Sequence, residues 1–299
     1  MLNDSRSPSF PPQLVLVTGV LAVSTASTFI RLAQADIDSL AVAAWRLTLA
    51  AGILAPFALL TRRDELRSLS RREWLLALGA GLLLALHFAA WITSLALTSV
   101  AASVVLVTMS PFFVGGIAHF FLGEKLSRPL LLGMSIAMAG SVIIGLGDAG
   151  RGTHPLIGDL LALVGALAAA GYFVIGRRLR RRLSLVGYVF PVYGTAAIAL
   201  LLVASLAHAP LSGYSESTWL WLLLLALVPQ LIGHSSLNWA LGHLPATYVS
   251  LAVLGEPLGS TLLAWIVLSE APTAPAVCGG ALIMAGLVIA GQPQILDTD

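Results

Sequence analysis

Charge is scarce along this chain. Asp, Glu, Lys and Arg make up 10% of its 299 residues, against about 25% in an ordinary soluble domain, which excludes a water-soluble globular protein of normal composition. Cysteine is nearly absent: Cys278 stands alone, so neither an intrachain disulfide nor a cysteine-built metal site is available. All eight aspartates (Asp4, Asp36, Asp38, Asp64, Asp148, Asp159, Asp297 and Asp299) fall in tails, loops or predicted helix ends. That removes the paired membrane-depth carboxylates an intramembrane aspartyl protease needs. Neither a GxSxG nor an HExxH spacing occurs, and nothing supplies an ATP site. The expectation is a protein that is not an enzyme, with no cofactor and no metal. Ser and His do occur within apolar stretches, which leaves a membrane-embedded acyl-transfer enzyme as the alternative. Long polar gaps are missing too. The longest, Thr61 to Glu73, spans 13 residues and leaves no room for an inserted soluble domain.

What fills the chain is apolar. Hydrophobic residues are 58% and the mean hydropathy is +0.93. A bilayer core of about 30 Å takes about 20 apolar residues per helix, because only a closed hydrogen-bond ladder satisfies the backbone there. Ten stretches meet that length: 13–33, 38–60, 74–96, 99–121, 127–146, 156–178, 186–207, 217–241, 247–268 and 273–291. The Pro-rich first dozen residues read as a disordered tail, and the first apolar run, long enough to span, is expected to remain as helix one.

The pI near 9.0 is explained by where the basic residues fall. With the amino terminus in the cytoplasm, thirteen of the sixteen Lys and Arg lie in inner loops and the tail. Arg31 and Arg151 lie outside, and Arg46 alone sits within a span. By the positive-inside rule both termini are cytoplasmic, in a multi-pass protein of the bacterial inner membrane. Charge here is a topology signal and lends no support to nucleic-acid binding. The expected partners are a small-molecule substrate and the lipid bilayer, for a monomer or homodimer.

Val107 to Gly145 overlays Val253 to Gly291 at a constant offset of 146, with thirteen of 39 positions identical. Pro111 matches Pro257, Glu124 matches Glu270, and Gly133 and Gly140 match Gly279 and Gly286. The chain thus divides into a tail (1–12) and two five-helix repeats (13–146 and 156–291). An odd number of crossings forces the second copy to enter from the opposite side, so the repeats are inverted. The predicted fold is an all-α integral membrane protein of ten transmembrane helices. Duplicated, inverted halves place a solute path between them, which points to a transporter.

At these residues the chain resembles the drug/metabolite transporter superfamily, specifically its ten-helix EamA-type exporters. The resemblance is carried by Pro111 with Leu122-Gly123-Glu124-Lys125-Leu126-Ser127, by Pro257 with Leu268-Ser269-Glu270, and by Gly158-Asp159-Leu160 running to Ala170-Gly171-Tyr172-Phe173 and Arg177-Arg178. Helices three and eight look most like those of the YddG-type amino-acid exporters. The resemblance implies export of an amino acid, aromatic and other apolar ones favoured, or of a similar small metabolite. Another metabolite or drug class is the alternative. Ala271-Pro272 replaces Lys125-Leu126 in the second repeat, which implies a stiffer outer hairpin.

Polar side chains at membrane depth are costly and usually face a cavity. Arg46 in helix two and Glu256 in helix nine are separated axially by about 7.5 Å at about 1.5 Å rise per residue, a gap that an amino-acid zwitterion spans. Helix three carries His87, Trp91 and Ser94 on one face; helix eight carries Gln230, His234 and Asn238, with Trp239 alongside. Ser110 and Tyr248 are further lining candidates, and Trp91 and Trp239 offer stacking surfaces. Mid-span Pro111 and Pro257 each free a carbonyl and read as hinges. The bland readings remain beside these: Arg46 bonding helix-end carbonyls, a hydrogen-bonded Glu256, structural histidines and packing tryptophans. Gly133, Ala137 and Gly140, with Gly279, Gly280 and Gly286, follow small-residue packing spacing, within the bundle or between protomers. Glu124 and Glu270, beside Ser127 and Thr273, are expected to cap the helix that follows each.

Overall fold

The computed structural model of the protein describes residues 10–146, 152–268 and 274–290. Among these residues there is no β-strand. Five helices are continuous and easily placed: α2 (Ser39–Thr61), α3 (Arg71–Leu97), α5 (Arg128–Leu146), α6 (Pro155–Arg180) and α7 (Leu185–Leu206). Four are interrupted. α1 runs as Pro12–Val23 and Ala26–Ala33, and α4 as Val100–Val107 and Ser110–Leu122. α8 is Glu216–Leu225, a π-helical stretch Ala226–His234, and Ser235–Ala240. α9 is Ala246–Ala252, a 3-10 turn Val253–Gly255, and Glu256–Leu268. α10 is Ala274–Ala290. Eight of these, α1 to α8, are long and apolar enough to cross a membrane, and Val277–Ala290 is a shorter apolar helix. Leu60, Phe120 and Leu206 stand exposed on the outer surface, as expected where the surrounding medium is hydrocarbon.

Local chemistry sets the helix ends. Asp38 caps α2 by accepting from the Leu40 N–H, and Ser70 with Glu73 forms a reciprocal capping box at α3. Gly123 ends α4 in the left-handed region, φ 67°, where a Cβ is disfavoured. Ser127 caps α5 through the Leu130 N–H. Glu124 does not cap the helix that follows it. Its carboxylate accepts from the Ala246 and Thr247 N–H groups at 2.9 and 3.2 Å and from the Thr247 hydroxyl at 3.0 Å, so it caps α9, a helix 122 residues away. The preference of an N-terminus for a carboxylate is met, by a residue distant in sequence. Glu270 and Thr273 lie outside the described residues.

The helices pack as α2 on α7, α3 on α6, α1 on α8, α4 on α6, α1 on α9 and α5 on α10. The α5–α10 contact is a seam of facing glycines. A Cβ on Gly133 would strike the Gly286 carbonyl and one on Gly286 the Gly133 carbonyl, and Gly140 and Gly279 are related in the same way. This small-residue stripe therefore packs within the bundle. At one end the arginine-bearing loops meet: Glu65 accepts from the Ser184 N–H and hydroxyl, Arg182 pairs with Glu73, and Arg177 lies 3.8 Å from Glu124. At the other end Asp36 holds the start of α8 and Thr98 donates to Asp159.

Candidate functional site

Three of the four interrupted helices, α1, α4 and α9, break beside one another around a common space. Each break is lined with side chains that replace or redirect backbone bonds. Thr25 donates to the Ala22 carbonyl and Thr108 to those of Val104 and Val105. Ser24 reaches the Glu256 carbonyl at 3.4 Å, while Ser260 donates back to the Ser24 carbonyl at 3.1 Å. Broken backbone at membrane depth is tolerated where it is buried in protein or lines a cavity, and here it does both. Pro111 and Pro257 sit just past the breaks in α4 and α9, at positions related by the offset of 146. Proline lacks the N–H that the preceding turn would otherwise need to satisfy.

The breaks enclose a cavity of about 40 Å³, room for about three waters. Arg46 from α2, His87 and Trp91 from α3, Thr108 and Ser110 from α4, Tyr172 and Phe173 from α6, His234 from α8 and Glu256 from α9 line it, with Val23 and Ala26 of α1. Its wall is poor in satisfied polar atoms. Both Nη atoms of Arg46, Trp91 Nε1, His234 Nδ1 and Glu256 Oε1 are buried without a hydrogen-bond partner. Burying a polar group unpaired costs about 1–3 kcal/mol, and more for a charged one, so five such atoms around one space mark a place built to be filled.

Arg46 is fully buried. Its Nε donates to Gln230 Oε1 at 2.8 Å, and its guanidinium carbon stands 4.1 Å from the centre of the Phe88 ring, a cation–π distance. Held from the side and from below, the guanidinium leaves its two outer nitrogens for the cavity. His87 Nδ1 lies 2.9 Å from the Gly165 carbonyl. A carbonyl only accepts, so Nδ1 carries the hydrogen and Nε2 is the acceptor in the neutral ring. The rings of His87 and Trp91 stack at 5.8 Å, and His234 meets Phe88 edge-on at 5.2 Å. The result is an aromatic wall flanked by one guanidinium and one carboxylate. Among the described residues no salt bridge joins Arg46 to Glu256.

Of the residues singled out from sequence, Arg46, His87, Trp91, Ser110, His234 and Glu256 meet at this cavity. The others lie elsewhere. Ser94 donates to the Trp91 carbonyl at 2.7 Å and pairs with Ser103, tying α3 to α4. Gln230 lies behind Arg46, and Asn238 donates to the Tyr172 hydroxyl. Trp239 packs on His243 at 4.3 Å. Tyr248 faces a lateral apolar groove with Gln13, Leu16 and Val17. Helical spacing is a poor guide to facing on α8, because the π-helical stretch rotates everything beyond it relative to an α-helix. Thr108, Tyr172, Phe173 and Phe88 were not singled out. A mid-span tyrosine hydroxyl is the signal that was available for Tyr172, since such a group needs a polar neighbour.

The sequence profile of the EamA-like transporter family matches residues 11–146 and again 156–292. An uncharacterized transporter, YdfC, of Bacillus subtilis is 26% identical over 183 residues, covering 61% of this chain and 59% of that protein. The pseudopaline exporter CntI of Pseudomonas aeruginosa is 28% identical over 227 residues, 74% of this chain and 76% of the relative. A probable terminal-alkyne amino-acid exporter of Streptantibioticus cattleyicolor is 22% identical over 188 residues, 62% and 61% respectively. A solved crystal structure superposes with a TM-score of 0.75 at 22% identity, covering 94% of this chain and 96% of its own, a likeness of fold.

Proposed function

Because the chain belongs to the EamA-like transporter family and is a multi-pass membrane transporter, we propose that it exports amino acids, apolar and aromatic ones foremost, by alternating access. The single observation that carries the reading is the pair of unpartnered ionisable groups on one cavity wall: the outer nitrogens of Arg46 and Oε1 of Glu256. A zwitterion presents a carboxylate to the guanidinium fork and an ammonium to the carboxylate, while His87, Trp91 and Phe173 receive its side chain. Ser110 and His234 complete the contact. The relative named as an amino-acid exporter supports the substrate class. The one named as a pseudopaline exporter favours a second reading, export of a different metabolite through the same cavity.

In this reading all ten helical segments span, as two inverted five-helix repeats. Supporting it, every major helix contact has its counterpart when each helix is exchanged with the one five places along, as α3–α6 with α8–α1 and α4–α6 with α9–α1. The thirteen-to-two basic bias supports cytoplasmic termini, in a bacterial inner membrane. Since a cavity of about 40 Å³ is well below the roughly 300 Å³ of a small-molecule site, loading requires the breaks in α4 and α9 to part. Pro111 and Pro257 are the hinges of that movement.

Counterflow in proteoliposomes tests the proposal. Vesicles preloaded with unlabelled L-phenylalanine should accumulate labelled L-phenylalanine, unchanged chemically, and should do so more weakly for 2-phenylethylamine and 3-phenylpropionate, which lack one charged end each. Equal exchange of all three compounds, or none across a panel of amino acids, would reject the zwitterion reading.

A further inference from the structure

α8 carries two fully buried amide side chains, Gln230 and Asn238, that do not line the cavity but each touch a residue that does. The orientation of both amides follows from their partners. Arg46 Nε–H only donates, so the atom facing it at 2.8 Å is the Gln230 oxygen. The His234 carbonyl only accepts, so the atom 2.7 Å from it is the Asn238 nitrogen, and that same nitrogen donates to the Tyr172 hydroxyl. Each contact has a directional consequence. Gln230 occupies the inner donor of Arg46 and leaves the two outer ones for the cavity. Asn238 fills an acceptor site on the Tyr172 oxygen, which leaves that hydroxyl its own hydrogen to donate.

Two amides one helix turn apart on each side of His234 therefore turn two cavity-lining groups, from α2 and α6, into hydrogen donors. The π-helical stretch Ala226–His234 sets the facing of Gln230 relative to Asn238. From this placement we infer that Gln230 and Asn238 are positioning residues for a carboxylate subsite whose donors are the Arg46 guanidinium and the Tyr172 hydroxyl. The inference rests on the amino-acid reading above, and sharpens it by naming where the carboxylate goes and which residues do not touch the solute. Donors fixed in advance toward one acceptor gain affinity by lowering the ordering cost of binding.

The test compares KM and Vmax for counterflow of L-phenylalanine and 2-phenylethylamine in the full-length wild type and in Tyr172→Phe, Gln230→Leu, Arg46→Met and the Arg46→Met/Gln230→Leu double variant. Each protein is first checked for a single symmetric peak on size exclusion. Tyr172→Phe keeps the ring and should raise KM for L-phenylalanine about tenfold, the effect of one lost hydrogen bond to a charged group, with Vmax and the amine's KM unchanged. Gln230→Leu should do the same in the wild-type background and nothing further in Arg46→Met, because a residue acting through another has no effect once that other is gone. Should Gln230→Leu not yield folded protein, Gln230→Glu takes its place. It retains the acceptor oxygen and neutralises the guanidinium, and should raise KM for L-phenylalanine alone. Additive effects of Gln230→Leu and Arg46→Met, or an unchanged KM in Tyr172→Phe while Arg46→Met raises it, would overturn the subsite. An unchanged KM in Arg46→Met overturns instead the zwitterion reading on which it rests.

Discussion

Arg46 and Glu256 are both buried, a placement that costs an ionised group about 2.5–3.5 kcal/mol by membrane-insertion energetics, and both have side-chain atoms with no hydrogen-bond partner. Glu256→Gln keeps the shape and most hydrogen-bonding capacity while removing the charge. If the carboxylate takes the ammonium of the solute, the change should raise KM for L-phenylalanine by roughly tenfold or more, measured by counterflow, and flatten the pH profile of exchange. Wild-type kinetics would make Glu256 structural. Arg46→Lys tests the opposite end, since lysine retains the charge and loses both the planar fork and the Nε contact to Gln230. Impaired exchange with only a modest loss of folded protein is expected; wild-type exchange would take the fork out of the site.

At the scale of elements, two contacts make separable predictions. Gly140 and Gly279 face each other across the α5–α10 seam so closely that a Cβ on either meets the carbonyl of the other. Gly140→Val should therefore force the helices apart, destabilising by about 1–3 kcal/mol or more, whereas Gly79→Ala, where an added Cβ meets nothing within 4 Å, should leave the melting temperature unchanged or raised. A fluorescence melt in detergent reads both. The start of α8 depends on Asp36, outside the membrane helices, whose Oδ2 accepts from the Ser215 N–H at 3.0 Å and the Thr218 hydroxyl at 2.8 Å. Those donors, the Ser215 N–H foremost, hold its carboxyl below the ordinary carboxylate value. A carboxyl with a depressed folded-state value stabilises above the unfolded-state value and loses that contribution as pH falls through the folded one. Melting temperature should thus drop on acidification below about pH 4 less steeply in Asp36→Asn than in the wild type. Identical pH slopes would remove Asp36 from the account.

For the whole molecule, the arrangement of loops makes a prediction of sidedness. The segments carrying Arg62 to Arg72, Glu124 and Arg177 to Arg182 contact one another at one end of the bundle, and Asp36, Thr98, Asp159 and Ser215 gather at the other. With Cys278 replaced by Ser, single cysteines in 61–73 and 177–184 should resist a membrane-impermeant maleimide applied to intact cells. One placed at Ser212, exposed in the loop before α8, should react. Labelling of the arginine-rich loops from outside would invert the proposed topology.

Eight helices long and apolar enough to cross a membrane, and the shorter apolar Val277–Ala290, were legible from composition and length because hydrocarbon imposes its requirement on every residue of a span, independent of what that span packs against. The caps Asp38, Ser70 and Ser184 are local for a different reason: each accepts from a backbone N–H two or three residues on. The burial of Arg46 and Glu256 was also readable, since a charge in an apolar run is visible without neighbours. What sequence could not decide is facing. Six of the candidate residues reached the cavity, while Ser94, Gln230, Asn238, Trp239 and Tyr248 did not: on α8 a π-helical stretch shifts the register that regular spacing assumes, and Ser94, on the unbroken α3, is drawn to Ser103 of α4. Glu124 was read as a local cap and holds a helix of the other half. Tertiary structure alone determined these, because a carboxylate is drawn to whichever N-terminus packing brings within reach, and a side chain lines a cavity only where the helices around it part.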